Sequence, residues 1–375
     1  MAIVVFWLAV LFIAYTYVGY PLGVWLLARR RPEETPEQLD ACDWPPITVV
    51  IAVYNEAQRI ARKIANLRNL DYPQEKMSIL FVSDGSTDAT NELLAKASGI
   101  SWHAYAERRG KPYALNCGLQ RVGTEIVVFC DVRQEIERTA FKHLIGRLVQ
   151  PGVGAVSGEL VHRDPQSHVA ANIGLYWRYE KWIRRSESRV ASSIGATGAL
   201  YAIHRSDFEP LAEDTILDDF EIPMAVVRRG RRNVFEHRAI FFDELQQDTA
   251  GERKRKVRTL TGNYQAFSRH RWLFSPRQNP VFVQFMSHKV FRLLVPYALM
   301  LALGASLAAE GWFYAGIAVV QVAFYTIAIA GSRAARMRSN RIVSFAVVFL
   351  ELNWAAVLAL VNFLSSRTDA KWEKT

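Results

Sequence analysis

Five short stretches carry side chains able to do chemistry together. "VVIAVYNEA" ends in Tyr54-Asn55-Glu56, "FVSDGSTDAT" holds Asp84, "RGKPYALN" holds Lys111, "FCDVRQ" holds Asp131, and "TILDDF" holds Asp218 and Asp219. Glu56, Asp84 and Asp131 each follow closely on an apolar run. A strand that ends in Asp-x-Asp can hold a divalent cation against a diphosphate, but here Arg133 stands in the second acidic place. Hard cations of this kind often take only one or two protein carboxylates and complete their shell with phosphates and waters. Asp131 alone is therefore compatible with a metal, and Arg133 is expected either to meet the diphosphate or to pair with Glu135 or Glu137. Thr87 and Asp88 also read as a helix cap, because their oxygens satisfy free N–H groups. No G-x-G-x-x-G and no Walker A lysine motif follows the first apolar run, so phosphate contacts must come from a cation, from basic side chains, or from both.

The elements needed to position these groups are legible. Ile47–Val53 is a continuous β-branched run, as in a strand buried on both faces. A helix is predicted over Glu56–Leu70, with Ile60, Ile64 and Leu67 on one face, then a strand at Ser78–Val82 and a helix at Asp88–Ser98. A short strand at Trp102–Tyr105, a helix at Lys111–Gln120 and a strand at Ile126–Cys130 follow. This alternation predicts an α/β fold with a mostly parallel sheet between helices. Ligands of such sheets bind beyond the C-terminal strand ends, where the polar residues gather.

The 375 residues also contain four long apolar runs: Ile3–Ala28, Val290–Ala308, Trp312–Ala330 and Ile342–Leu364. Each is long enough to cross a bilayer. Arg29-Arg30-Arg31 follows the first run, and Arg333, Arg336, Arg338 and Arg341 lie in the loop before the last. Cations favour the cytoplasmic side, so both clusters predict an uncleaved, multi-pass inner-membrane protein with its Pro32–Asn279 domain in the cytoplasm. On this count the tail, with three cations, falls outside. Glu351 and Asn353 in the last run predict packing inside the protein. The formal charge of +10 resides largely in clusters beside membrane segments, which suits anionic lipid, and no nucleic-acid partner is expected. Cys42, Cys117 and Cys130 are too few and too scattered for a disulfide frame or a metal cluster.

Taken together and in this order, "VVIAVYNEA", "SDGSTDAT", "RGKPYALNCGL" and "FCDVRQ" resemble the family 2 glycosyltransferases, inverting enzymes of the GT-A fold, over roughly Ile47–Phe267. The likeness is greatest to bacterial hyaluronan, chitin, cellulose and poly-N-acetylglucosamine synthase-like members. The resemblance implies that Tyr54 and Glu56 line the nucleobase and ribose pocket and that Asp84 binds the base or ribose. Lys111 would approach the diphosphate, and Asp131 would hold a divalent cation, magnesium or manganese. "SIGATGALYAIHR" resembles the family's acceptor cleft, with Gly198 and Tyr201 as lining residues. "TILDDF" stands at the family's T-E-D motif, which implies Asp219 as the base and Asp218 as its support. The family's Q-x-x-R-W motif falls at Arg255–Thr259. Arg258 matches its arginine, Arg255 replaces Gln and Thr259 replaces Trp, so a long homopolymer product does not follow. "QAFSRHRW" at Gln265–Trp272 has similar letters at the wrong spacing and reads as coincidence or as an interface anchor.

The expected organisation is an anchor at 1–31, a linker at 32–46, a nucleotide-sugar-binding half at 47–150 and an acceptor-binding half at 151–252. Interface helices at 253–289, three spans at 290–366 and a tail at 367–375 follow. The expected activity is transfer of a sugar from a nucleotide-diphospho sugar, UDP-linked by preference, to a growing polysaccharide. A lipid or lipid-linked acceptor is the alternative. A homo-oligomer or export partner would help four spans to form a channel. A membrane transport or scaffold protein with a degenerate sugar-binding domain is the reading from another class.

Overall fold

A computed structural model describes residues 1–40, 42–163, 168–244, 249–334, 337 and 340–365. The predicted tail, and Arg336 and Arg338 of the basic loop, lie outside the described residues. Elements follow the chain in the order α1 (Ala2–Ala14), a π-helical turn (Tyr15–Gly19), α2 (Tyr20–Arg29), β1 (Ile47–Val53), α3 (Ala57–Arg68), β2 (Met77–Asp84), α4 (Thr90–Lys96), β3 (Ser101–Tyr105), α5 (Lys111–Leu119), β4 (Ile126–Cys130), β5 (Glu135–Ile136), α6 (Ala140–Leu148), β6 (Val153–Arg163), α7 (His168–Val190), β7 (Leu200–His204), α8 (Asp218–Arg228), β8 (Arg232–Glu244) and α9 (Thr249–Arg269). The membrane part then runs through α10 (Phe282–Phe285), a second π-helical turn (Met286–Val290), α11 (Phe291–Ala308), α12 (Trp312–Arg333) and α13 (Arg341–Leu364).

The strands form one sheet in the order β3-β2-β1-β4-β7-β6-β8-β5. β1 pairs in parallel with β2 and β4, β2 with β3, and β6 with β8. β7 runs antiparallel between β4 and β6, with Cys130 opposite Leu200. That reversal brings the start of β7 to the same edge as the ends of β1, β2 and β4, so the glycine-rich segment before β7 arrives beside Asp131. All seven residues of β1 are buried, as its uninterrupted apolar run requires. Ile60 and Leu67 of α3 and Phe141 and Leu144 of α6 cover one face of the sheet. Leu115 of α5 and Ile222 and Val226 of α8 cover the other.

Four helices are long and apolar enough to cross a membrane: Ala2–Arg29, Phe282–Ala308, Trp312–Arg333 and Arg341–Leu364. A third core joins two of them to the sheet domain. Phe220, Met224 and Val227 of α8 pack with Phe267 of α9, Phe285, Leu293 of α11 and Ala356 of α13. Fully burying side chains of this size stabilises by roughly 1.5–3 kcal/mol each, so the junction is a packed interface rather than a tether. The predicted interface segment before the first C-terminal span is continuous with that span, its second turn being π-helical.

Candidate active site

The ends of β1 and β2 are tied to one another before any ligand is considered. Asn55 follows β1 with φ 53°, a left-handed conformation that Asn tolerates better than most residues. Its Oδ1 accepts from the backbone N–H groups of Thr87 and Asp88 at 2.7 and 3.3 Å, and its own N–H donates to Ser86 Oγ at 3.1 Å. Asp84 is fully buried and accepts from Tyr105 Oη and from the N–H groups of Arg109 and Gly110, all within 3.0 Å. Such saturation makes Asp84 the anchor of the loop after β3. A Cβ on Gly85 would lie 2.6 Å from Arg108 N, so this crossing of the two loops requires glycine. Arg108 covers the ring of Tyr54 at 4.0 Å, and Glu56 pairs with Arg59 at 2.6 Å.

Lys111 opens α5 and places its Nζ 3.1 Å from Asp131 Oδ1 and 3.1 Å from Asp218 Oδ2. Burial opposes the ammonium charge, but Asp131, Asp218 and Asp219 together outweigh it and push the lysine above its ordinary range. The two halves of the site thus meet on one cation. Asp218 and Asp219 occupy the first turn of α8, where the helix dipole favours negative charge. Pro223 in the same helix has no N–H, so it cannot bond the carbonyl of Asp219. That carbonyl instead accepts from Ala196 N at 2.7 Å, which pins the Gly195–Gly198 segment over the acid pair. A Cβ on Gly198 would fall 2.8 Å from Asp219 Oδ2, so only glycine leaves room for this carboxylate. Burial, reinforced by the charge of Asp218, pushes the Asp219 carboxyl up to about 6, with Lys111 pulling the other way. A carboxyl poised near neutrality suits a general base.

This geometry agrees with what comparison with known proteins finds. Residues 48–209 match the model of Glycosyl transferase family 2. Over those residues the chain is similar to family 2 of the glycosyltransferases. It is similar to poly-beta-1,6-N-acetyl-D-glucosamine synthase of Staphylococcus aureus, at 24% identity over 285 residues, covering 73% of this chain and 67% of the relative. It is similar to the same enzyme of Staphylococcus epidermidis at 24% identity over 234 residues, covering 60% of this chain and 56% of the relative. The solved mannosyltransferase PcManGT from Pyrobaculum calidifontis, in complex with GDP-Man and Mn2+, superposes with a TM-score of 0.73 at 22% identity. That match covers 97% of this chain and all of the other, so the GT-A fold extends with its membrane helices over nearly the whole length.

At the position expected to hold a metal, the residues would form a minimal donor set. Arg133 turns away from Asp131 and bridges Asp243 at 2.5 Å, joined there by Gln134 Nε2 at 3.0 Å. The predicted pairing with Glu135 or Glu137 therefore gives way to a partner on β8: Glu135 pairs with Arg62, and Glu137 caps Thr139. Asp84 is consumed by its loop, whereas the Asp131 side chain, paired with Lys111, is 39% exposed. No group of three or more His, Cys, Asp or Glu side chains positioned to hold a metal occurs among the described residues. One hard oxygen ligand still fits a cation whose other ligands are phosphate and water.

Two expectations change on folding. Tyr201 is fully buried, stacked on Phe129 at a centroid distance of 4.7 Å, with its hydroxyl 3.5 Å from Asp218 Oδ2. It backs the acid pair from within the core instead of lining the acceptor cleft, because β7 is an interior strand. The Gln265–Trp272 segment is no coincidence of letters. Gln265 accepts from Ile216 N at 3.0 Å and donates to Asp214 O at 2.8 Å, and Arg269 reaches Thr215 Oγ1 at 3.2 Å. Arg109 holds Glu213 of the same loop from the donor side. The segment leading into Asp218 is thus clamped between Arg109 of the loop after β3 and α9. Arg255 and Arg258 lie on α9 ahead of this clamp.

Proposed function

We propose that the protein is an inverting hexosyltransferase that moves a sugar from a nucleotide-diphospho sugar to a hydroxyl of a glycan acceptor at the cytoplasmic face of the membrane. The observation that carries the reading is the single lysine shared by Asp131, on the donor side, and Asp218, beside the base. Asp219 takes the proton of the acceptor hydroxyl, whose oxygen attacks the anomeric carbon as the bond to the diphosphate breaks. Asp218 and Tyr201 hold the acid pair in place, and Gly198 gives its carboxylate room. Lys111 offsets charge gathering on the leaving diphosphate, with Arg255 and Arg258 of α9 approaching it from the interface. Asp131 would hold a divalent cation, which supplies Lewis-acid stabilisation of that charge when bound. Tyr54 and Glu56 line the nucleoside pocket, and Asp84 shapes its floor.

Similarity to poly-beta-1,6-N-acetyl-D-glucosamine synthases supports a polysaccharide acceptor, and a UDP-linked donor is the preference that the sequence motifs imply. Fold likeness to a protein solved with GDP-Man keeps a GDP-linked donor open to test. The experiment is nucleotide release by the detergent-solubilised full chain across UDP-, GDP- and dTDP-sugars, with manganese or magnesium and with EDTA. Release from one donor, abolished by EDTA and by Asp219→Asn, is the expected result. Release that survives both would remove the cation and the base from the reading. Silence with every donor would favour the degenerate-domain alternative.

A further inference from the structure

From Ser192 to Gly198, between α7 and β7, the chain has no helix or strand of its own, yet its backbone is held atom by atom. Ser193 N donates to Asn233 O at 2.9 Å, and Asn233 Nδ2 donates to the carbonyls of Ser193 and Gly195, both at 2.9 Å. Thr197 N donates to Ser157 Oγ at 2.7 Å, and Ala196 N donates to Asp219 O at 2.7 Å. These partners stand on β8, β6 and α8, so they belong to the sheet domain.

Two further contacts come from elements joined to the membrane part. Gln284, at the start of the first C-terminal span, donates through Nε2 to Ser192 O at 2.9 Å. Arg184 of α7 donates through Nη1 to Thr197 Oγ1 at 3.0 Å. Helix α7 is itself tied to both spans. Tyr20 Oη of the N-terminal span donates to Glu187 Oε1 at 2.6 Å, and Tyr179 Oη donates to Tyr17 O at 2.6 Å. Pro21 cannot bond that carbonyl within its own helix, which leaves it open to α7. His288 of the first C-terminal span lies between Glu187 and Glu180, at 2.8 and 3.1 Å.

Arg184 therefore joins α7 to the segment at the point nearest the base. Thr197 precedes Gly198, where a Cβ would fall 2.8 Å from Asp219 Oδ2. Ser192–Ala196 are buried, whereas Thr197 and Gly198 are half-buried, so the outer end of the segment has the least packing to hold it. The Thr197 hydroxyl also meets Ser157 Oγ at 3.3 Å, but a guanidinium donor makes the stronger bond. Glu180 and Asp219 both act on the Arg184 charge, so the guanidinium is balanced where it stands.

We propose that Arg184 is a positioning residue: it fixes Thr197, and through it Gly198, against the Asp219 carboxylate, and so makes the placing of the base depend on how the membrane helices set α7. This rests on the transferase reading and names a control on that same site.

The test compares Arg184→Met, Thr197→Val and their double variant in the detergent-solubilised full chain. Each single variant should lower kcat about 10- to 100-fold, the cost of moving a catalytic group by up to about 1 Å, with nucleotide binding changed less than about twofold. The double variant should be no slower than the slower single one, because both remove one contact. Thr197→Ser keeps the hydroxyl and should recover most of the rate.

The pH profile separates this contact from a general loosening. The groups whose charge reaches Asp219 are Asp218 beside it, Lys111 on α5, Lys289 in the first C-terminal span, Arg184, and Tyr201 of β7. Arg184→Met removes a charge that favours the ionised carboxylate, so its activity limb should move to higher pH. Thr197→Val should leave the limb in place. Hydrogen exchange read by mass spectrometry needs no turnover, and residues 192–198 should exchange faster in both single variants, with β1 unchanged. Losses that multiply in the double variant, an unmoved limb in Arg184→Met, or unchanged exchange over 192–198 would each overturn the proposal. A wild type silent with every donor, with the exchange difference intact, would sink the transferase reading and leave the tie from α7 to Gly198 standing.

Discussion

Replacing Gly198 by alanine isolates the position of the base from the stability of the fold. The backbone at Gly198 is not in the left-handed region, so alanine brings no conformational strain there. Its Cβ would lie 2.8 Å from Asp219 Oδ2 and 3.2 Å from both Cβ and Cγ of Asp219. Comfortable non-bonded separations are about 3.5–4.0 Å, so the carboxylate must rotate or retreat by roughly 0.5–1 Å. Rotating it off its rotamer costs about 0.5–1.5 kcal/mol, which would lower the unfolding temperature by only a few degrees. Displacing a catalytic group by about 1 Å can cost on the order of a hundredfold in rate. The expected result is therefore a 10- to 100-fold fall in kcat, roughly unchanged KM for the donor, and near-native thermal unfolding. A double-mutant cycle with Asp219→Asn makes the reasoning decisive. Asparagine keeps the same shape, so the steric cost persists, but there is no base left to misplace. If Gly198→Ala costs as much in the Asp219→Asn background as in wild type, its effect is on the fold and the base assignment loses this support.

Activity should rise with pH along a limb near 6, because Asp219 must ionise to accept a proton and its carboxyl is pushed up to about 6. The folded value lies above the ordinary 3.8, so this same ionisation lowers stability as pH climbs from about 4 to 6, and rate and stability should move oppositely there. Lys111→Met removes a charge that lowers the Asp219 value and should shift the activity limb to higher pH; a limb that stays put would argue against their coupling. Arg133→Ala should lower the unfolding temperature by leaving buried Asp243 short of a partner, with donor KM changed less than about threefold, since Arg133 faces β8. A large rise in donor KM would place Arg133 on the diphosphate after all. Gln265→Leu should cut kcat about tenfold or more by releasing the loop into Asp218, with steady donor affinity measured by nucleotide-analogue binding; an unchanged kcat would make the clamp merely structural.

The first half of the sheet was readable because its strands are parallel, buried on both faces and separated by amphipathic helices, so composition and periodicity agree. Ile47–Val53 and Ile126–Cys130 fold over the predicted bounds. β6 and β8 carry charged and small residues among apolar ones, and their ladder contains two register shifts, so no clean period marks them. The reversal at β7 is set by long-range pairing, which local pattern does not encode. Asp131 stands at a strand end, whereas Lys111 and the Asp218-Asp219 pair are legible as candidates only through the motifs that the sequence shares with the family. The place of Gln265 is not legible in the local sequence, because its partners are the backbone atoms Ile216 N and Asp214 O of a loop far earlier in the chain.

The same reasoning explains why the membrane part bears on the chemistry. α8 presents its acids to the cleft with its first turn, but the residues following them, Phe220 and Met224, are buried against α9, α11 and α13. Pro223 then diverts one backbone carbonyl from the helix to the Gly195–Gly198 segment. The base is thus fixed on one side by a backbone bond that exists because a proline interrupts the helix. On the other side it is fixed by side chains packed among candidate spans. A soluble fragment ending before Asn279 would keep the sheet and lose Phe285, Leu293 and Ala356 from that packing. Helix α8 would keep Ile222 and Val226 on the sheet and Ala266, Phe267, Trp272 and Leu273 on its other side, and lose the part of that core that the spans supply. The packing of α8 against two candidate spans thus bears on the position of the acid pair, and through the Lys111–Asp218 contact on Lys111 as well.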